Sequence, residues 1–288
     1  MNVLPCEKWG RTLTEQEVDP TSSPQARFGA ELRRSRRARG WSQTELAKHM
    51  GYSNTLLSYI ERGKRPPTRK FAVKADAVLD TGEIFFHLWR GIVRAGLLEG
   101  FPEFADAEAR CRRVRALALT VVTGLFQVPD YAWALASAAV QRGAITMAEA
   151  EERVEFLAAR QRLLDQKTPP LVHTVLDESC LVRPVGGSAV MRAQLDHLSE
   201  LAARPNVTIQ VAPFAIGENL PFTLPVILLD LPDGSVVGYA ESQARGHLER
   251  SRKTVMAWER EYDQLLVEAK PKASSLALIH KARKELSP

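Results

Sequence analysis

The chain has 288 residues, enough for two domains of ordinary size, and is 45% hydrophobic and 25% charged with a net charge of +5. Cys6, Cys111 and Cys180 form no CxxC pair, which argues against a disulfide framework or a structural zinc site, and no apolar run approaches the roughly 20 residues needed to span a bilayer. Charge is concentrated in one stretch: Arg27 to Lys74 hold thirteen Lys and Arg against three Asp and Glu, and both flanks are slightly acidic. A compact basic segment beside a larger, nearly neutral one points to nucleic acid at one end and a different role at the other. With no signal-peptide core, the expected location is the cytoplasm, associated with the nucleoid and without membrane contact.

Residues 1–26, with three prolines, mixed charge and no sustained period, read as a flexible leader in which Trp9 and Leu13 are candidate docking residues. Phe28 and Leu32 mark the inner face of a first helix whose outer face carries Arg33, Arg34, Arg36, Arg37 and Arg39. Most of that run is expected to be solvated, with some arginines near phosphate. Ser42 and Glu45 form a capping-box pattern, Leu46, Ala47 and Met50 give one apolar face, and Gly51 suits a left-handed stop. Ser53 is a second N-cap, and Leu57 and Ile60 supply the next apolar face before Gly63. Two short helices joined by a tight turn make a helix-turn-helix, whose second helix enters the major groove. Thr68 caps a fourth helix with Phe71, Ala75, Val78 and Leu79 inward, and Gly82 opens a fifth with a stripe of Phe85, Leu88, Trp89, Ile92 and Val93. That stripe reads as core, with a dimer seam or a joint to the second domain as the alternative.

Ser42-Gln43, Leu46-Ala47, Gly51, Ser53, Ser58, Ile60-Glu61-Arg62-Gly63 and Lys64-Arg65 together resemble the XRE class of helix-turn-helix regulators, over residues 28–88. The resemblance places Leu57 and Ile60 inward and leaves Ser53, Asn54, Thr55, Leu56, Ser58 and Tyr59 toward DNA. Asn54 can pair with adenine, and Thr55 can bond a base or a phosphate. Leu56 meets a thymine methyl or packs into the domain. Gln43 is implied to contact phosphate and brace the recognition helix, and Arg62, Lys64 and Arg65 to hold the DNA backbone. One such motif buries too little surface for tight binding alone, so the expectation is a homodimer on an inverted-repeat operator of double-stranded DNA.

A domain boundary is expected near 96–102, giving domains at 27–95 and 96–288. Beyond it, 104–122 reads as a helix basic in its middle, Pro129 starts another up to about Arg142, and the Thr146/Glu149 capping box opens a third over 147–164. From Leu171 the pattern changes to strands (LVHTVLDES, VTIQVAPF, LPVILLDL, VVGYAES), with a helix over 188–203, a helix from Gly246 to about Ala269 and a final one over 274–286. The fold class expected is mostly α with a smaller α+β part: a five-helix XRE domain followed by a mixed α/β domain.

The run from Thr123 to Ala132, TGLFQVPDYA, is similar to the PGLLQTPDYA signature of a family of actinobacterial regulators. Arg160-Gln161, Leu176-Asp177-Glu178, Val185-Gly186, Gln194-Leu195, 207–213, Phe222 and Tyr239-Ala240-Glu241 match further landmarks. The resemblance implies an XRE domain joined to a C-terminal domain of unassigned function, antitoxin-like or developmental in role, with a small acidic protein partner. Thr123 stands where the family has proline. The 123–132 run reads first as structural, with Tyr131 half-buried. A ligand or partner pocket is the alternative, drawn from Phe126, Gln127, Tyr131, Arg160, Glu178, Phe222, Tyr239 and Glu241. Arg160 is expected to pair with Asp177, Glu178 or Glu241, and His173 and His197 to be ordinary fold residues. No HExxH, GxSxG or P-loop pattern is present, so neither catalysis, nor a metal, nor a cofactor is expected. The functional expectation is a DNA-binding transcriptional regulator, repressor rather than activator, controlled by a protein partner or, alternatively, by a small molecule.

Overall fold

The computed structural model describes residues 19–95, 97–242 and 245–286. Most of the expected leader, including Cys6, Trp9 and Leu13, lies outside the described residues. The chain divides into two units, one up to Ile92 and one from Val93.

The first unit is helical: α1 (Pro24–Ala38), α2 (Gln43–Met50), α3 (Asn54–Glu61), α4 (Arg69–Leu79) and all but the last turn of α5 (Ile84–Ala95). Each start has a local cause. Ser23, Ser42, Ser53 and Thr68 each accept a hydrogen bond from the backbone N–H three residues on, and Glu45 completes the capping box. The start of α1 precedes the expected one: Pro24 sits in its first turn and Ala26 is buried, so the last residues read as leader are helix. Gly51 ends α2 in the left-handed conformation. The start of α5 is held from another helix, since the buried Asp76 carboxylate accepts from the N–H groups of Phe85 and Phe86, both at 2.9 Å. Phe28, Leu32, Leu46, Met50, Leu57, Ile60, Phe71 and Phe85 form the core. Burying Leu57 and Ile60 alone is worth about 1.5–3 kcal/mol each.

In the second unit, α6 (Phe101–Glu108) leads into β1 (Arg113–Ala118). Then come α7 (Pro129–Gln141), α8 (Met147–Gln161), β2 (Leu171–Asp177), α9 (Ser179–Val182) and α10 (Gly187–Ala202). β3 (Val207–Ala212), β4 (Val226–Asp230), β5 (Val236–Glu241) and β6 (Gly246–Glu249) follow, and α11 (Arg252–Glu268) and α12 (Lys272–Glu285) close the chain. The strands form one sheet in the order β3-β2-β1-β4-β5-β6. β1, β2 and β3 are parallel, whereas β4, β5 and β6 pair antiparallel, β4 against β1.

Alternation along the strands feeds two cores. Val114, Ala116, Ala118, Val172, Ile209, Leu229 and Tyr239 face a cluster that includes Phe104, Tyr131, Leu195 and Ile279. Leu117, Val175, Leu228 and Val226 face the other, with Tyr262 and Leu265 of α11. Helices therefore cover both faces, as a part-parallel sheet requires.

Two further expectations are corrected. The stretch read as one basic helix over 104–122 is α6, a turn and β1, the strand at the centre of the sheet. Arg113 and Arg115 are alternate residues of a strand: Arg115 donates to Asp230 at 2.7 Å and to Glu259 of α11 at 2.8 Å. The helix expected from Gly246 begins only at Arg252, because 246–249 pairs with β5 as an edge strand.

Candidate functional site

The recognition helix α3 separates its faces cleanly. Leu57 and Ile60 are buried, Ser53, Asn54 and Thr55 are exposed, Tyr59 is 43% exposed, and Leu56 and Ser58 are half-buried. Ser53 spends its hydroxyl on the Leu56 N–H, so in this role it is a cap. Asn54 and Thr55 stand in the first turn, where a helix entering a groove meets base edges. Arg62 folds back on its own helix: Nε donates to the Ser58 carbonyl at 3.1 Å, and the guanidinium lies 5.2 Å from the Tyr59 ring centre. Lys64 and Arg65 are exposed just beyond.

What holds α3 is a buried carboxylate. Glu61, fully buried, accepts from Arg36 Nε at 2.6 Å and Nη2 at 3.0 Å, and from Gln43 Nε2 at 2.7 Å. Arg33 adds an ion pair at 3.7 Å. Glu61 thus ties α1, α2 and α3 together, and Gln43 has the bracing role the resemblance implied. Arg33 and Arg36, expected on the solvated face of α1, are 9% and 4% exposed, because α3 packs across that face. Gly29 permits the approach: a Cβ there would lie 2.5 Å from the Ile60 carbonyl oxygen.

In the second unit the 123–132 run is fixed by its neighbours, and its Thr123, Gly124 and Gln127 line a cavity. Side-chain amides clamp its backbone: Gln127 Nε2 donates to the Val122 carbonyl at 2.7 Å, Gln161 Nε2 to those of Gly124 and Gln127, and Gln194 Nε2 to that of Phe126. Tyr131, expected half-buried, is fully buried, and its hydroxyl oxygen accepts from the Val122 N–H at 3.3 Å. Asp130 stands in the first turn of α7, where the helix dipole favours a negative charge.

Four of the eight expected pocket residues come together. Gln127, Arg160, Tyr239 and Glu241 line one cavity of about 260 Å³, walled further by Phe101, Phe104 and Ile227. The other four do not join them. Phe126 and Tyr131 are fully buried behind it, Phe222 belongs to the core on the opposite face of the sheet, and Glu178 accepts from the Phe214 N–H at 2.8 Å. Arg160 pairs with none of its three expected partners. Its Nε and Nη2 donate to Glu108 at 2.7 and 2.9 Å. Glu108, 2% exposed at the end of α6, lies 52 residues away, and no spacing signals it. Burial opposes the Arg160 charge, but the Glu108 carboxylate outweighs it and holds the pKa above the ordinary arginine value. Tyr239 Oη donates to Glu241 Oε1 at 2.7 Å, and burial followed by that bond pushes the phenol well above its usual range.

His173 Nε2 meets Gln210 Oε1 at 2.7 Å and His197 lies 3.7 Å from Glu200, both within the fold. Among the described residues, no three His, Cys, Asp or Glu are placed to hold a metal ion, and no helix is long and apolar enough to cross a membrane.

Residues 27–84 match a helix-turn-helix domain family, and residues 101–281, well over half of the chain, match the domain of unknown function DUF5753. No curated protein matches the chain, and no solved structure does. The N-terminal match agrees with the capped α2–turn–α3 unit, and the C-terminal match spans the sheet, the clamped 123–132 run and the cavity. The chain belongs to the DUF5753 family, with a helix-turn-helix domain preceding the domain that defines it.

Proposed function

We propose that this protein is a sequence-specific DNA-binding transcriptional regulator, most simply a repressor, that binds an inverted repeat as a homodimer and is controlled through its second unit. The observation that carries the reading is the face of α3: Asn54, Thr55 and Tyr59 are exposed on a helix locked from behind by Glu61, with exposed Lys64 and Arg65 beside it. A rigid helix with free polar groups in its first turn is what direct readout needs, and the adjacent cations supply phosphate attraction.

Two readings of the control stand, each with its own support. The resemblance of the 123–132 run and its companion landmarks speaks for the actinobacterial antitoxin-like or developmental class and for a small acidic protein partner. The half-open cavity with its unequal polar and aromatic walls favours a small molecule.

The test is to sequence the genomic fragments bound by the purified protein at two salt concentrations. The expected result is an inverted repeat whose half-sites lie about one helical turn apart. Binding that is only salt-sensitive, with no shared motif, refutes sequence-specific regulation. A monomer covering one half-site refutes the dimer.

A further inference from the structure

The cavity lies where the sheet changes character. β1 pairs parallel with β2 on one side and antiparallel with β4 on the other, and the chain leaves the carboxyl end of β1 through Leu119–Thr123. Those residues, with Pro225 and Ile227 at the start of β4 and Tyr239 and Glu241 at the end of β5, surround the space. A crevice outside the carboxyl end of a strand, at the point where the sheet's order switches, is the usual place for a ligand in α/β sheets.

The walls narrow the chemistry. One is aromatic: Phe104 stacks on Tyr239 with centroids 4.1 Å apart, and Phe101 meets Tyr239 edge-on at 6.1 Å. The Arg160 guanidinium sits 4.9 Å from the Phe101 ring centre and 5.4 Å from that of Phe104. The polar groups are incompletely used. Arg160 gives Nε and Nη2 to Glu108, and Nη1 has no protein partner among the described residues. Glu241 accepts from Tyr239 with Oε1 and keeps Oε2.

Charge excludes one class of occupant. Glu108 already neutralises Arg160, Glu241 adds a negative charge, and no lysine lines the cavity. A phosphate or a dicarboxylate would meet net repulsion in a partly dehydrated site. A neutral or singly positive compound would not, provided it offers N–H donors to Glu241 and an acceptor to Arg160 Nη1. Size sets the rest: 260 Å³ is about nine water volumes at roughly 30 Å³ each, room for about ten non-hydrogen atoms.

We propose that this cavity binds a free planar nitrogen heterocycle of nucleobase size, its N–H edge on Glu241, its carbonyl or ring nitrogen on Arg160 Nη1, and its ring against the Phe101–Phe104 wall. The consequence for DNA release rests on the second unit being the controlling half; the binding itself does not.

The experiment is calorimetric titration of the full chain, without DNA, with adenine, guanine and cytosine, and with their 5′-monophosphates and inorganic phosphate as anionic controls. At least one base binds, at least tenfold more tightly than its monophosphate. Glu241→Gln, at an exposed position, weakens that binding at least tenfold, and Ile227→Phe, which fills the space, abolishes it. Both variants keep the urea midpoint of the second unit's transition in the absence of the base, which shows that the unit carrying the cavity still folds. The proposal is overturned if no base binds at millimolar concentration, if a monophosphate or phosphate binds better, or if base binding survives either substitution. A base that binds as described without changing DNA affinity leaves the site standing and removes the control reading.

Discussion

Replacing Glu61 by alanine removes the acceptor of three hydrogen bonds, two from Arg36 and one from Gln43, and strips the carboxylate from two guanidinium groups that are at most 9% exposed. Removing one partner of a buried ion pair costs about 3–5 kcal/mol, because the remaining charge stays dehydrated. A unit on the order of 70 residues has about 4–10 kcal/mol of stability in all. The substitution should therefore consume a large part of it. At about 4–8 °C per kcal/mol for a domain of this size, the first unit should melt about 12–40 °C lower. The assay is thermal and urea unfolding of the full chain followed by circular dichroism, beside DNA binding across the same temperatures. The transition of the first unit should fall together with DNA binding, and that of the second should stay. Gln43→Ala, which loses one hydrogen bond to the carboxylate, should cost about 1.5–3 kcal/mol at most. A loss below about 1 kcal/mol for Glu61→Ala would falsify the claim that this carboxylate braces the recognition helix.

On the DNA side, Asn54→Ala should relax preference at one position of each half-site by about 1–3 kcal/mol without moving the melting temperature. Lys64→Gln should lower affinity evenly across sequences and reduce the salt slope by about one phosphate contact, both read by titration at several salt concentrations. In the second unit, a Cβ at Gly246 would stand 2.1 Å from Tyr239 Oη, so Gly246→Ala should displace the phenol from Glu241 at a cost of about 1–3 kcal/mol, read from urea midpoints; an unchanged midpoint would contradict the close approach. Burial pushes the Cys111 and Cys180 thiols up to about 12, so a Cys6→Ser variant should react with a thiol reagent at pH 8 only as fast as it unfolds. Burial also lowers the His173 pKa; its stabilisation is present above the ordinary histidine value near 6.5 and lost as pH falls through the lower folded value, a loss that His173→Asn should reduce between pH 7 and 5.

How far the sequence speaks for the structure differs between the two units. In the first, the decisive signals are local: Ser42 with Glu45, Gly51, Ser53 and Thr68 act within four residues, so each cap and stop is visible in the chain order. What the chain order does not show there is the burial of Arg33 and Arg36, since an arginine run looks the same whether solvent or a buried Glu61 lies opposite. In the second unit, RVRALA reads as part of a basic helix because its two arginines suggest a solvated face. Only the neighbouring Asp230 and Glu259, more than 110 residues away, make them tolerable inside a central strand. The cavity shows the same limit. Arg160, Tyr239 and Glu241 stand out as landmarks, but Glu108, Phe101 and Phe104 reach them only through the sheet, and Phe222, in the loop before β4, packs into the core on the opposite face.

The place of β1 in the sheet also has a consequence during synthesis. Its parallel neighbour β2 is complete by Asp177, but its antiparallel neighbour β4 ends at Asp230, 112 residues after Ala118. At about 5–20 residues per second, the far edge of β1 waits roughly 6–20 s on the ribosome for its partner. The helical unit, whose pairings close within the first 92 residues, needs no such wait. Nascent chains should therefore carry a folded DNA-binding head while the β1 edge is still open, and it is in that interval that a chaperone would be needed.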